Sequence, residues 1–185
     1  MDSGPLPLAR VLQDALPDLN LEAVASVDPQ TVVRASRDDL PALARALRDH
    51  PDLRFSLLID VTAADYLPRE PRFEVVYTLV SLPFTRRLRV KVPLAGGDAR
   101  VASVSGVWPA AVWLEREVWD LFGIAFDGHP DPRRLLMPED WDGHPLRKDY
   151  PVQVNLPARS GSPLQVTEEE FRASLQRDRL TRGSR

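Results

Sequence analysis

The chain reads as an α+β protein: a two-layer domain with a mostly antiparallel sheet and helices, followed by an extended proline-rich C-terminal arm. Three observations predict this. Two segments before residue 50 place apolar residues at helical spacing and stop at prolines. Three β-prone segments between residues 55 and 94 follow one another through short links. From Asp127 to Pro157 prolines at 130, 132, 138, 145, 151 and 157 punctuate a stretch that still holds Leu135, Leu136, Met137, Trp141, Leu146, Tyr150 and Val152. Helices and neighbouring short strands segregate into layers around one core. Prolines at that density exclude a long helix or a central strand, and so many apolar side chains exclude a solvated linker. The expected division is 1–124 for the α+β platform, 125–160 for a docking arm and 161–185 for a charged tail.

Each element has its own signal. Leu8, Val11, Leu12 and Ala15 form one stripe ahead of Pro17, which predicts a helix over residues 7–16. Residues 21–27 and 31–35 are short β-prone runs. Ser36 is placed to cap a helix over residues 38–49, with acids in its first turn and Leu40, Leu43, Ala44 and Leu47 on one face; Pro51 ends it. Residues 55–61 are almost continuously apolar, as in a strand buried on both faces. Residues 73–82 are β-branched and aromatic. In residues 87–94, Leu88, Val90, Val92 and Leu94 alternate with Arg87, Arg89, Lys91 and Pro93, which gives a strand with a core face and a basic outer face. The short Pro83-Phe84-Thr85 link makes the last two strands an antiparallel hairpin, and residues 101–104 offer a further strand.

The totals narrow the function classes. A chain of 185 residues suits one domain, or one domain with an arm. A net charge of −3 argues against a nucleic-acid binder that relies on a basic surface. Among the 24 basic residues only Lys91 and Lys148 are lysine, for which a G+C-rich coding sequence is the simpler account than interface selection. Cysteine is absent, which excludes disulfides, a cysteine nucleophile and thiolate-held iron–sulfur clusters. Apolar runs fall short of the roughly 20 residues that a membrane-spanning helix needs, and the start of the chain shows no secretory pattern. Contact with a membrane is therefore expected only through a partner.

Residues 108–151 hold all four tryptophans and two of the three histidines. Pro109 is suited to be a first helical residue and Gly123 a C-terminal stop. Between them Ala111, Leu114, Val118, Leu121 and Phe122 form an apolar stripe flanked by Trp113 and Trp119, while Glu115, Arg116, Glu117 and Asp120 crowd the other side. Arg116 and Asp120 stand at i,i+4, a pairing worth about 0.2–0.5 kcal/mol on an exposed face. Beyond the helix, Asp127-Gly128-His129-Pro130 is repeated as Asp142-Gly143-His144-Pro145, and each copy precedes a basic pair, Arg133-Arg134 and Arg147-Lys148. Asp127, His129, Asp142 and His144 could ligate a metal if two loops converged. Two Asp-Gly turns stiffened by proline are the favoured reading. Glu117 and Asp120 could act as an acid–base pair, but Arg116 beside them offers a structural partner. No phosphate-binding glycine loop, dinucleotide fingerprint or nucleophile elbow is present.

These residues carry a resemblance. Glu115-Arg116-Glu117, Asp120-Leu121-Phe122-Gly123-Ile124, His129 and Arg133-Arg134-Leu135-Leu136, continued by Pro138-Glu139-Asp140-Trp141 and Gly143-His144-Pro145-Leu146-Arg147-Lys148-Asp149-Tyr150-Pro151, resemble the signature of the C subunit of NADH-quinone oxidoreductase, the 30 kDa subunit family of respiratory complex I. Weaker resemblance reaches back through residues 54–66 and 73–82. The resemblance implies a subunit without flavin, iron–sulfur cluster or quinone site of its own, and so without a catalytic, cofactor or metal residue. FMN and the clusters are expected in partner subunits. Such a subunit braces the peripheral arm against the D subunit, which is the large quinone-binding one, and against the neighbouring iron–sulfur subunits, while the whole translocase passes electrons from NADH to quinone. It would lie on the cytoplasmic face of the bacterial membrane and bind no nucleic acid. Trp113, Glu115, Arg116, Glu117, Trp119, Asp120, His129, Arg133, Arg134, Trp141, His144, Arg147, Lys148 and Tyr150 are the expected docking or framework residues, and the Trp, Tyr and Arg among them are types that anchor buried interfaces. The alternative implied is the equivalent subunit of a related membrane-bound hydrogenase or dehydrogenase.

Overall fold

The structure is a computed structural model and describes residues 8–26 and 30–151. Its elements run α1 (Leu8–Ala15), β1 (Glu22–Val24), β2 (Thr31–Arg34), α2 (Leu40–Asp49), β3 (Leu57–Asp65), β4 (Phe73–Ser81), β5 (Arg86–Leu94), β6 (Arg100–Ala102), α3 (Ala111–Phe122) and β7 (Ala125–Asp127). The first five strands make one sheet in the order β1-β2-β5-β4-β3. Every pairing in it is antiparallel except β2 with β5. With three helices among the described residues, this is the mixed but mostly antiparallel α+β domain that the patterns predict.

The β4–β5 hairpin sets the core. Its register places Tyr77 opposite Val90 and Leu79 opposite Leu88, so Phe73, Val75, Tyr77 and Leu79 share one face with Leu88, Val90, Val92 and Leu94, all buried. Onto that face pack Leu12 of α1, Leu40, Leu43, Ala44 and Leu47 of α2, and Ala111, Val118 and Phe122 of α3. Removing each large side chain from water contributes about 1.5–3 kcal/mol. Trp108 joins the layers before α3 begins, its Nε1–H donating to Phe55 O at 3.0 Å.

On the outer face of the sheet, Arg34 and Lys91 are paired with acids of neighbouring strands, while Arg87 is exposed. Arg34 pairs with Glu22 at 3.0 Å and reaches Glu74 at 3.8 Å, and Lys91 meets Glu74 at 2.8 Å. These residues come from four adjacent strands, and the i, j and diagonal neighbours of a sheet face bring opposite charges together.

Several boundaries differ from the expectations for physical reasons. The strand over residues 55–61 is not buried on both faces: β3 is an edge strand, with Leu57 43% and Ile59 48% exposed. A bulge between Leu58 and Asp60 inserts Ile59 into the alternation, and with the exposed Leu57 it makes the run look continuously apolar. Helix α2 starts at Leu40, and the Ser36 hydroxyl accepts the Asp38 N–H at 3.3 Å in the turn before it instead of capping the helix. Pro41 in the first turn has no N–H to leave unpaired. Helix α3 starts at Ala111, and Pro109 sits in the preceding turn, its carbonyl accepting the Val112 N–H at 3.2 Å. Gly123 stops α3 as expected, in the left-handed region at φ 71°. The strand at residues 101–104 forms as β6, but it pairs in parallel with β7 in a separate two-stranded sheet.

That pairing places residues 125–127, assigned to the arm, inside the platform. The compact unit continues to Tyr150, so no break falls at residue 124. The rest of the expected arm beyond Pro151, and the charged tail at 161–185, lie outside the described residues.

Candidate functional site

Residues 128–150 form a strap without regular secondary structure, and helix α3 holds it. An irregular backbone has no ladder to satisfy its N–H and C=O groups, and buried ones must find side chains or water. The polar side of α3 supplies those partners. Asp120, fully buried, accepts the N–H groups of Leu135, Leu136 and Met137 on Oδ2 at 2.9, 2.7 and 2.9 Å, and the Arg134 guanidinium on Oδ1 at 2.7 Å. Burial is the largest influence and opposes its charge. The amide of Met137, the Arg134 guanidinium and the amides of Leu135 and Leu136 together outweigh it and hold the carboxyl below the usual range.

Arg116 does the complementary work on carbonyls. Its Nε–H donates to Arg133 O at 2.9 Å and its Nη2–H to Arg134 O at 2.8 Å, with Asp131 at 3.4 Å from Nη1 and the Trp113 ring 5.1 Å away. The expected Arg116–Asp120 pair is therefore not formed, and the polar side of α3 is not a solvated face. A guanidinium is a rigid fork of donors and a carboxylate an acceptor of several amides. Each does more beneath the strap than toward the other. Arg134 closes the circuit, donating to Trp141 O at 2.7 Å and Gly143 O at 3.2 Å while lying 5.7 Å over the Trp119 ring.

The two Asp-Gly-His-Pro copies are turns, with Gly128 at φ 81° and Gly143 at φ 79°. Their histidines serve backbone groups. His129 Nδ1 accepts the Asp131 N–H at 3.0 Å, leaving Nε2 to donate to Val112 O at 3.0 Å. His144 Nδ1 lies 2.9 Å from Asp120 O, and its ring fills the space above Gly123, where an added Cβ would stand 2.5 Å from Cδ2. The Leu146 N–H donates to Leu121 O at 3.0 Å. Among the described residues no group of three or more acidic or histidine side chains converges as a metal site would require.

A second clasp lies at the far end of the strap. Arg72, buried, bonds Asp65 at 2.7 and 2.9 Å and Asp149 at 2.8 Å, and the Lys148 N–H donates to Asp65 at 2.8 Å. The Arg72 guanidinium above all, then the Lys148 and Leu67 amides, hold Asp65 far below the carboxylate range despite burial. Arg147 and Arg72 both lie over Phe73, at 5.3 and 4.6 Å. The Tyr150 hydroxyl reaches Asp142 O at 3.2 Å.

The expected site residues thus fall into groups. Arg116, Trp119, Asp120, His129, Arg134, Trp141, His144, Arg147, Lys148 and Tyr150 meet in the clasped strap. Glu115 lies beneath it, bonded to Ser103 Oγ at 2.6 Å and Val104 N–H at 2.7 Å. Trp113 and Glu117 face outward on α3, and Arg133 is an exposed partner of Asp131 at 2.6 Å. Sequence reasoning missed Asp65, Arg72 and Asp149. Arg72 and Asp149 are 77 residues apart, and no local spacing signals such a bond.

Fold and strap together define an α+β domain whose C-terminal segment is clasped to one helix by buried charges. Residues 33–155 match the family described as the respiratory-chain NADH dehydrogenase 30 Kd subunit. The chain is 51% identical over 124 residues to the C subunit of NADH-quinone oxidoreductase from Geotalea uraniireducens, covering 67% of this chain and 74% of that one. It is 49% identical over 142 residues to the corresponding C subunit from a Roseiflexus species, covering 76% and 80%. Among solved structures, the trypsin-resistant fragment (1–134) of Nqo5 matches at 37% identity and TM-score 0.56, over 67% of this chain and 98% of that one. A polypeptide of the membrane-bound sulfane sulfur reductase, an archaeal respiratory membrane complex, matches at 25% identity and TM-score 0.64, over 78% and 85%. The chain belongs to the 30 kDa subunit family of respiratory complex I, the family of the NADH-quinone oxidoreductase C subunit.

Proposed function

We propose that this chain is a peripheral-arm subunit of a proton-translocating NADH:quinone oxidoreductase, carries no cofactor of its own, and braces the quinone-binding large subunit and neighbouring iron–sulfur subunits. FMN and the clusters belong, in this reading, to those partners. The complex meets the membrane through other subunits, with this chain on the cytoplasmic face; among the described residues no helix is long and apolar enough to cross a bilayer.

The observation that carries the reading is what the strap leaves outside. Its backbone is held by Asp120, Arg116 and Arg134, yet Trp113 is 59% exposed, Leu136 58% and Leu146 52%. Large apolar groups presented on a pre-ordered backbone are what an interface anchor needs, because little ordering entropy remains to oppose binding. The test is co-purification with a tagged chain carrying Trp113→Asp, Leu136→Asp or Leu146→Asp. Each variant should fold alone with an unchanged melting midpoint and recover at least tenfold less NADH-oxidising complex than the parent. Full recovery by all three would sink the docking assignment.

The likeness to the sulfane sulfur reductase polypeptide supports a second reading, the equivalent subunit of a related respiratory complex. The donor that the recovered complex oxidises separates the two.

A further inference from the structure

Asp65 and Asp120 are buried acids that each hold an arginine. Glu115 is different. Its side chain is fully buried, and its hydrogen bonds come from the Ser103 hydroxyl and the Val104 amide. The nearest imidazole nitrogen, His129 Nε2, stands 4.0 Å from its Oε2. With Nδ1 accepting the Asp131 amide, Nε2 turns toward Val112 O, at 3.0 Å, rather than into a hydrogen bond with the carboxylate. Both groups line a cavity of about 20 Å³, completed by Arg116, Trp119, Phe126 and Pro132. It has room for one water molecule. His129 and Pro132 belong to the strap and roof the cavity.

We propose that Glu115 and this cavity are a proton-binding site closed by the strap, so that seating of residues 129–132 on helix α3 is coupled to uptake of one proton. The groups around the carboxyl are consistent with this. From α3 itself, Arg116 is turned to Asp131 and to the strap carbonyls. From β4, Tyr77 presents a buried, uncharged phenol that its burial, and then Glu115, keep protonated. From the loop before α3 come the hydroxyls of Ser103 and Ser105, 2.7 Å apart. From the strap come His129 and Asp131.

Burial pushes the Glu115 carboxyl up to about 7, against the bonds from Ser103 and Val104. Lifted into water it would ionise near the ordinary glutamate value of about 4.3. The seated state therefore binds the proton more tightly. Below about pH 4.3 both states are protonated and seating is unaffected. Between there and about pH 7 the lifted state ionises first, so seating weakens as pH rises. Above that both are ionised and the weakening is constant. By the same linkage, whatever presses the strap onto α3 raises proton affinity at Glu115.

The test uses the full chain. Carbon-13 chemical shifts of the glutamate carboxyls give the Glu115 midpoint, and hydrogen-exchange protection of the Leu135, Leu136 and Met137 amides reports strap opening. Glu115 should titrate near neutrality, and protection should fall about a hundredfold from pH 5 to pH 7.5. In Glu115→Gln protection should stay at its pH 5 level throughout. In Arg134→Ala, which loosens the strap, the Glu115 midpoint should drop toward the ordinary range. A wild-type midpoint near 4.3, or a pH-dependent fall in protection that persists in Glu115→Gln, overturns the proposal. If neither variant folds, the wild-type titration and protection profile decide it on their own.

Discussion

Asp120→Asn tests the clasp most directly, because it changes one atom and almost no volume. The carboxylate receives three backbone amides on Oδ2 and one guanidinium on Oδ1, all at 2.7–2.9 Å. An asparagine has one acceptor oxygen. If that oxygen keeps the amides of residues 135–137, the new NH₂ group faces the Arg134 guanidinium, donor against donor. If the amide flips, three backbone donors lose their partner instead. Hydrogen bonds to charged groups contribute about 1.5–3 kcal/mol each, and breaking one side of a buried ion pair costs about 3–5 kcal/mol. Arg134 keeps two carbonyl acceptors and slight solvent access, so the lower part of that range applies, about 3 kcal/mol. Urea unfolding gives the global loss, and hydrogen exchange gives the local one. The Leu135–Met137 amides should lose about a hundredfold in protection. The pH dependence adds a sign check. Asp120 is held below the usual carboxylate value, so its contribution is present above about pH 4 and lost as pH falls through the depressed value. The gap between parent and variant should therefore close on acidification. Protection within fivefold of the parent at pH 7, or a gap that widens in acid, would refute the clasp.

Two further substitutions probe the strap's seat and the core. Gly123→Ala forces a side chain into the left-handed region, costing about 1–2 kcal/mol, and drives its Cβ into the His144 ring; a thermal melt should show a loss of at least 2 kcal/mol, and adding His144→Ala should recover the steric part in a double-mutant cycle. Tyr77→Phe should leave stability unchanged within about 0.5 kcal/mol or raise it, because the buried hydroxyl has no partner among the described residues; a loss above about 1 kcal/mol in urea unfolding would show that the hydroxyl is satisfied after all.

The helices and the hairpin were legible because their signals are local. Leu88, Val90, Val92 and Leu94 announce a half-buried strand by period alone, and Gly123 announces a helix end. What was misread involved residues whose partners lie far along the chain. Residues 55–61 look doubly buried because exposed Leu57 and the bulged, exposed Ile59 flank inward-facing Leu58 with apolar side chains. Arg116 and Asp120 look like an i,i+4 surface pair because helical spacing makes them neighbours. Burial under the strap turns each toward backbone groups 15 to 18 residues away. The candidate site was visible as a set of residue types, and the family resemblance named nearly all of them. Which of them face inward was not visible, since composition does not say what covers a polar face.

The inward charges follow from the strap's own chemistry. Prolines deny residues 128–150 a helix or a ladder, so each buried amide and carbonyl needs an external partner. Helix α3 provides Arg116 for the carbonyls of 133 and 134 and Asp120 for the amides of 135, 136 and 137. The polar face of α3 thus does for the strap what a neighbouring strand does for a β-strand. Filling the same volume with apolar side chains would preserve packing but leave two carbonyls and three amides unpaired, at about 1–3 kcal/mol each where water is excluded. The strap would then lift to hydrate them. Leu136, whose amide is one of the three, would lose its fixed position with them. On this account the exposed apolar residues and the buried charges are one device, since the charges fix the backbone on which Leu136 is displayed.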